Sequence, residues 1–364
     1  MSRWWRSGCV LLLCLWLSGC ADTRYYAQSV GGHLKLMAAA RPVSDWLADP
    51  HTPASLRQRL LLAQSQRDFS VRELNLPDTA SYRRFADLQR PYVVWNVVAA
   101  PVLSLELKTW CVPVAGCVGY RGYFDEGDAQ ALASELRAQG LETQVYGVPA
   151  YSTLGWMNWL GGDPLLNTFL TLPDGELARL MFHELAHQVL YVSGDTTFNE
   201  SFATAVERLG ADAWLATQAS PQARQAFAVY NQRRQQFRAL TRSTRERLAQ
   251  IYKKNDDLAP DTQGLIAMKN EVFEDFRARY ATLKQSWGGY AGYDSWVAQA
   301  NNASLGAQAA YDELVPAFEA LFAREARSWP QFFAAVQALA ELPADQRRAQ
   351  LQALETTTRQ ALAD

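Results

Sequence analysis

Apolar positions three and four residues apart dominate this chain, while strand-like stretches are confined to one region of its first half. Tyr25–Leu47 carries the helical pattern, with the pair Gly31-Gly32 inside it. The pattern returns at Ser55–Gln66 and Ser81–Arg90. Tyr92–Ala99 and Leu103–Trp110, rich in Val, Leu and Trp, read as strands. Asp128–Gln139 is an amphipathic helix stopped by Gly140, and Glu142–Val148 reads as a strand. Tyr151–Asn167 holds Gly155, Gly161, Gly162 and Pro164 and reads as loop. A helix is predicted over Gly175–Val192 with Asp174 as N-cap, then a turn at Asp195–Thr197 and a second helix over Asn199–Leu209. From Ala211 the pattern is almost all helix, and Ser220–Lys254 with Gly264–Trp287 reads as a solvated helical hairpin. This order predicts an α+β, mostly α-helical fold. It would have a small mixed N-terminal sheet, a central helix pair and a helical C-terminal half.

The first residues stand apart from that pattern. Arg3 and Arg6 precede Val10–Leu17, an apolar run too short to span a bilayer. Leu17-Ser18-Gly19-Cys20 looks like a lipobox, the site where bacterial signal peptidase cuts before a lipid-modified Cys. Residues 1–19 are therefore expected to be a lipoprotein signal peptide, with acylated Cys20 anchoring the chain to the lipid bilayer on the periplasmic side of the cell envelope. Ala21 follows the Cys, which resembles sorting to the outer rather than the inner membrane. Residues 20–364 are expected to form one domain. Its parts are an N-terminal α/β region at 20–170, a central helix pair at 171–215 and a helical region at 216–364. Of five cysteines, Cys9 and Cys14 leave with the signal and Cys20 is lipidated. Cys111 and Cys117 remain, an even pair in an oxidising compartment, and are expected to form a disulfide.

Composition narrows the function without choosing it. Twelve Trp, 15 Tyr and 15 Phe supply apolar surface for a packed core, so the chain is not of the disordered class. The net charge of −2, with bases spread among acids, gives no footprint for nucleic acid. Nothing in it sets the oligomeric state.

The chemistry concentrates in His183-Glu184-Leu185-Ala186-His187. On a helix, residues i and i+4 share a face one turn apart, so two imidazoles can hold one zinc ion. Glu184 lies beside them, placed to take a proton from a zinc-activated water. A catalytic zinc needs a third protein ligand, and no histidine is available, because His33 and His51 lie far upstream. Glu200, opening the next helix in Asn199-Glu200-Ser201-Phe202-Ala203, is the expected third ligand, with Asp195 as its rival. Glu207, two turns on, is placed either to accept the outer N–H of a ligand histidine or to make a surface ion pair. Tyr151 and Tyr311 are candidates for stabilising the oxyanion. Glu207, Asp163 and Asp195 are the acids suited to hold a substrate amine.

These stretches resemble the putative aminopeptidase family of proteobacterial lipoproteins, a branch of the zincin metallopeptidases with a gluzincin-like ligand set. The resemblance runs through Tyr25–Gly32, Cys111–Phe124, Gly147–Trp156, Asp163–Thr168, the HELAHQ run with NESFA, and Asn301-Asn302-Ala303. It implies a zinc peptidase acting on peptides, with one zinc ion and exopeptidase action at the amino end. The helical C-terminal half, larger than a minimal peptidase needs, motivates an alternative: a lipid-anchored envelope assembly or scaffold protein with a vestigial metal site.

Overall fold

Proline breaks the first helical pattern in two. Helix α1 covers residues 23–39. Arg41–Pro42 then forms a two-residue strand, β1, and Val43–Ala48 a separate helix, α2. Pro42 has no N–H to continue the helical ladder, and its φ of −51° suits the residue that introduces a new helix. The computed structural model describes residues 23–112, 116–150, 161–253, 262–309 and 314–363. The lipobox and Cys20 lie outside these residues.

Helix α3 runs Ala54–Arg72. The helix expected at Ser81–Arg90 is instead a short strand, β2 (Arg84–Ala86), flanked by turns and bends. Tyr82 and Gln89 there have φ of 66° and 51°, which a right-handed helix excludes. The buried Arg67 guanidinium pins the segment leading in, donating to the backbone oxygens of Pro77, Thr79 and Ser81. Next come β3 (Val94–Pro101), β4 (Trp110–Val112), β5 (Gly116–Val118), β6 (Arg121–Tyr123), α4 (Glu126–Ala138), β7 (Leu141–Val148) and β8 (Leu165–Leu166). They form three small sheets rather than one mixed sheet.

The largest sheet has the order β6-β3-β7, antiparallel throughout, with Val94 opposite Val148 and Pro101 opposite Leu141. A second, β1-β2-β8, joins β2 and β8 in parallel. The third is the β4-β5 hairpin, where Cys111 faces Cys117 with the two sulfurs at bonding distance. The expected strand Leu103–Trp110 enters a sheet only at its last residue, with one further backbone bond from Lys108 N to Ala99 O at 2.8 Å. Leu105 and Leu107 are apolar because they pack on other elements, not because they sit in a sheet. Helix α4, capped by Asp125, whose side chain accepts from Asp128 N, lays Ala129, Ala133 and Leu136 on Val97, Ala99 and Tyr123.

The helical remainder comprises α5 (Asn167–Leu170), α6 (Asp174–Ala186), α7 (Thr196–Thr217), α8 (Pro221–Lys253), α9 (Thr262–Ser286), α10 (Asp294–Ala298), α11 (Asn302–Ala309), α12 (Val315–Arg324), α13 (Trp329–Ala340) and α14 (Ala344–Ala363). The fold is α+β and mostly α-helical. Helices α6 and α7 lie inside the main core. Leu177, Met181 and Phe182 of α6 and Phe198, Phe202 and Val206 of α7 are fully buried. Side chains from both ends of the chain cover them, among them Leu60, Phe85, Phe318, Phe332 and Leu351. The α8–α9 hairpin is not solvated on all sides: Phe237, Leu248, Val272 and Phe276 build a second core with Val297 and Leu305.

Asn302 ties the helical half to the sheet. It is fully buried, its amide donates to the Val102 carbonyl at 2.8 Å, and its backbone N–H reaches Glu142 at 2.8 Å. Asn301 donates to the Thr143 carbonyl. Among the described residues no helix is long and apolar enough to cross a membrane.

Candidate metal centre

Helix α6 begins one residue earlier than expected, with Pro173 at its N-cap position and Asp174 in its first turn, where Asp174 accepts from Arg59 at 2.6 Å. It ends at Ala186, short of the expected Val192, so His183 lies in its last turn and His187 caps it. The two imidazoles stand 4.9 Å apart between centroids, almost perpendicular at 83°. Glu200 opens the second turn of α7. Asn199 clasps the connecting turn: its side-chain oxygen accepts from Val192 N at 2.8 Å, and its amide donates to Val192 O at 2.7 Å. Asp195 caps α7 by accepting from Phe198 N and also pairs with Arg347 of α14 at 2.6 Å. Asp195, the rival third ligand, is thus held by an arginine, and Glu200 faces the imidazoles.

Among the described residues, His183, His187 and Glu200 form the cluster of three side chains able to hold one metal ion. Nε2 of His183 lies 3.2 Å from Nε2 of His187 and 3.2 Å from Oε2 of Glu200, with 3.8 Å from His187 to the same oxygen. Donors each about 2.0–2.2 Å from one tetrahedral ion stand roughly 3.3 Å apart. The spacing therefore fits a single ion, and two nitrogens with a carboxylate form a donor set suited to zinc. The centre is buried, with His187 only 5% exposed.

The support for His183 runs deeper. Its Nδ1 meets Oε2 of Glu207 at 2.9 Å, and Glu207 pairs with the buried Arg179. Arg179 neighbours Glu176, which Arg234 grips at 2.6 Å. Of the two roles open to Glu207, the geometry gives the contact to the histidine.

Electrostatics follow from this packing. Burial alone would lower the His183 pKa, but hydrogen bonds to Glu200 and Glu207 outweigh it and raise it well above the usual imidazole value. Burial lowers His187 to about 4. Burial works against ionising Glu207, yet Arg179 and His183 bring it down to about 2. Glu200 is also lowered, because its hydrogen bond to His183 and the nearby imidazole charge outweigh burial. Without metal, these shifts favour a protonated His183, a neutral His187 and two ionised glutamates.

A consequence is measurable. Metal needs the Nε2 lone pair of His183. Uptake at pH 7 should release about one proton per ion, and affinity should rise with pH up to the raised His183 pKa. Calorimetric titration in buffers of different ionisation enthalpy reads that proton, and none released would contradict the electrostatics. The same shift adds stability to the metal-free fold. That contribution is complete below the ordinary imidazole pKa and fades as pH climbs through the raised one.

Three phenols that the sequence pattern does not single out feel this electrostatic environment, and the Tyr191 ring lies 6.4 Å from that of His187. Tyr120, Tyr146 and Tyr191 all have raised pKa values, chiefly from burial and further from the charge of Glu200. Tyr120 also feels Glu184. It exposes 37% of its surface. Tyr146 accepts a 3.4 Å contact from the Asn96 amide. The fully buried Tyr82 senses Glu184 and Asp163. Tyr120 sits in the Cys111–Phe124 stretch, just after the cysteine pair, which was the one available signal. Tyr151 and Tyr311 lie outside the described residues. Glu207 and Asp195 are each bound to an arginine; Asp163 is buried, its backbone joined to Tyr82 and Ser81.

Fold and site together define a class: a mostly helical protein with a candidate metal centre shared by two packed helices. The chain belongs to the putative aminopeptidase family, whose sequence model matches residues 24–351. No curated protein and no solved structure matches it.

Proposed function

We propose that this chain is a zinc-dependent aminopeptidase acting on peptides at the periplasmic side of the cell envelope. The observation that carries the reading is the convergence of His183, His187 and Glu200 beside Glu184, in a chain of a peptidase family. A zinc ion held by those three residues would supply Lewis-acid activation of a water and of the peptide carbonyl. Glu184, next to His183 in sequence, takes the water's proton on its carboxylate and returns it to the leaving amine. Glu207 fixes the His183 ring through Nδ1, aiming Nε2 at the centre, and Arg179 keeps Glu207 ionised. Tyr120, kept protonated by its burial and by the neighbouring carboxylates, is the candidate hydroxyl donor to the developing oxyanion.

Export is supported by the lipobox at Cys20 and by the facing cysteines at positions 111 and 117, which suit an oxidising compartment. The test is a set of short peptides offered to the zinc-loaded chain with free or acetylated amino ends. Cleavage confined to the free set is expected. Cleavage of both sets alike would make it an endopeptidase, and no cleavage in either would remove the enzymatic reading.

A further inference from the structure

A cavity of about 260 Å³ lies between the β3-β7 sheet, the β4-β5 hairpin, α11 and the start of α7. Val98, Leu107, Tyr120, Tyr146 and Ala307 give it apolar walls. Thr196 and Thr197 complete it, standing four and three residues before Glu200 and so one helical turn from that ligand on the same face. Tyr120 and Tyr146 are shared: they line the cavity and also sense the Glu200 charge. Through Thr196 and Thr197 the cavity reaches the first turn of α7, one turn before Glu200.

We propose that this cavity receives one side chain of the peptide substrate, next to the scissile bond, and selects apolar residues of leucine or phenylalanine size. The proposal rests on the peptidase reading above. Size points to a single side chain: roughly 150 Å³ accommodates a benzene ring, whereas sites for whole drug-sized ligands begin near 300 Å³. Chemistry points to an apolar one. Among the described residues the one acidic or basic side chain on the wall is Asp195, already committed to Arg347 and to the Phe198 N–H, so an incoming charge would lose its hydration without gaining a counter-ion.

The width is fixed by two tight approaches. A Cβ at Gly119 would come within 2.8 Å of Leu107 Cδ1. One at Gly116, whose φ is +78°, would come within 2.8 Å of the Gly194 backbone nitrogen. The hairpin that carries Cys111 and Cys117 is thus pressed against the turn entering α7.

The test is binding, read by calorimetry on zinc-loaded Glu184→Gln protein, which holds peptide without the proton acceptor. The probes are tetraalanine, its four single-Phe versions and the matching single-Lys versions. One Phe position should bind about tenfold tighter than tetraalanine, an effect expected from burying part of one aromatic side chain, and Lys at that position should bring no gain. Ala307→Phe, which fills the cavity, should abolish the Phe gain. Leu107→Ala, which enlarges it, should move the preference from Phe to Trp and serves if the first variant fails to fold. Equal affinity across the series, or a Phe gain that survives both substitutions unchanged, would overturn the cavity assignment. Should the unsubstituted chain leave all these peptides uncut while the binding preference holds, the peptidase reading falls and the cavity stands.

Discussion

Glu184→Gln should abolish peptide hydrolysis while leaving metal content at one ion per chain. The expected fall in kcat is about 10²–10⁴-fold, the usual contribution of a positioned general base. Glutamine matches the shape of glutamate but cannot accept the proton. His183, His187 and Glu200, the donors that converge, are untouched by the change. Glu184 is half-buried in the last turn of α6, and an amide there introduces no unpaired charge into the core. Kinetics on the best free-amine peptide, run beside elemental analysis of the same sample, separate the two effects. A kcat within a few-fold of the parent would remove Glu184 from the mechanism.

Glu200→Ala should do the opposite and strip the metal. Loss of residues that merely support a ligand costs about 10–100-fold in metal affinity, and loss of a ligand itself should exceed that range. Glu207→Gln gives the internal comparison. It leaves all three donors in place and weakens the Nδ1 contact of His183 and the ion pair with Arg179, so its loss should lie inside that range. Competition with a chromophoric chelator ranks the three proteins. Equal affinity for the Glu200→Ala protein and its parent would show that the third ligand lies elsewhere.

The sequence made the candidate centre legible because its three donor side chains are set by local geometry. His183 and His187 share a face by helical spacing alone, and Glu200 follows after a turn too short to carry it away. What the sequence concealed was set by distant partners. The helix expected at Ser81–Arg90 fails because Arg67, more than ten residues upstream, captures the carbonyls that lead into it and Tyr82 takes a positive φ. Leu103–Trp110 has strand-like composition, yet its leucines serve helix packing. The helix over His183 ends at Ala186, where the next amides close tighter turns, Gln188 N to Leu185 O and Val189 N to Ala186 O, and Asn199 then holds both backbone groups of Val192.

The same reasoning explains the tyrosines. Tyr120, just past a hairpin, and Tyr146, on a strand, meet the start of α7 only in the folded chain. No periodicity reports that. Asp195 looked like a ligand because it is near in sequence, and its partner Arg347 is 152 residues away.

The most direct test of the centre is zinc-edge X-ray absorption on the purified protein loaded with one equivalent of zinc. Two imidazole nitrogens and a carboxylate oxygen at about 2.0–2.2 Å, with one further light-atom donor, are expected, and one imidazole should vanish from the spectrum of His187→Ala. A spectrum lacking paired imidazoles, or one unchanged by that substitution, would contradict the metal centre on α6 and α7.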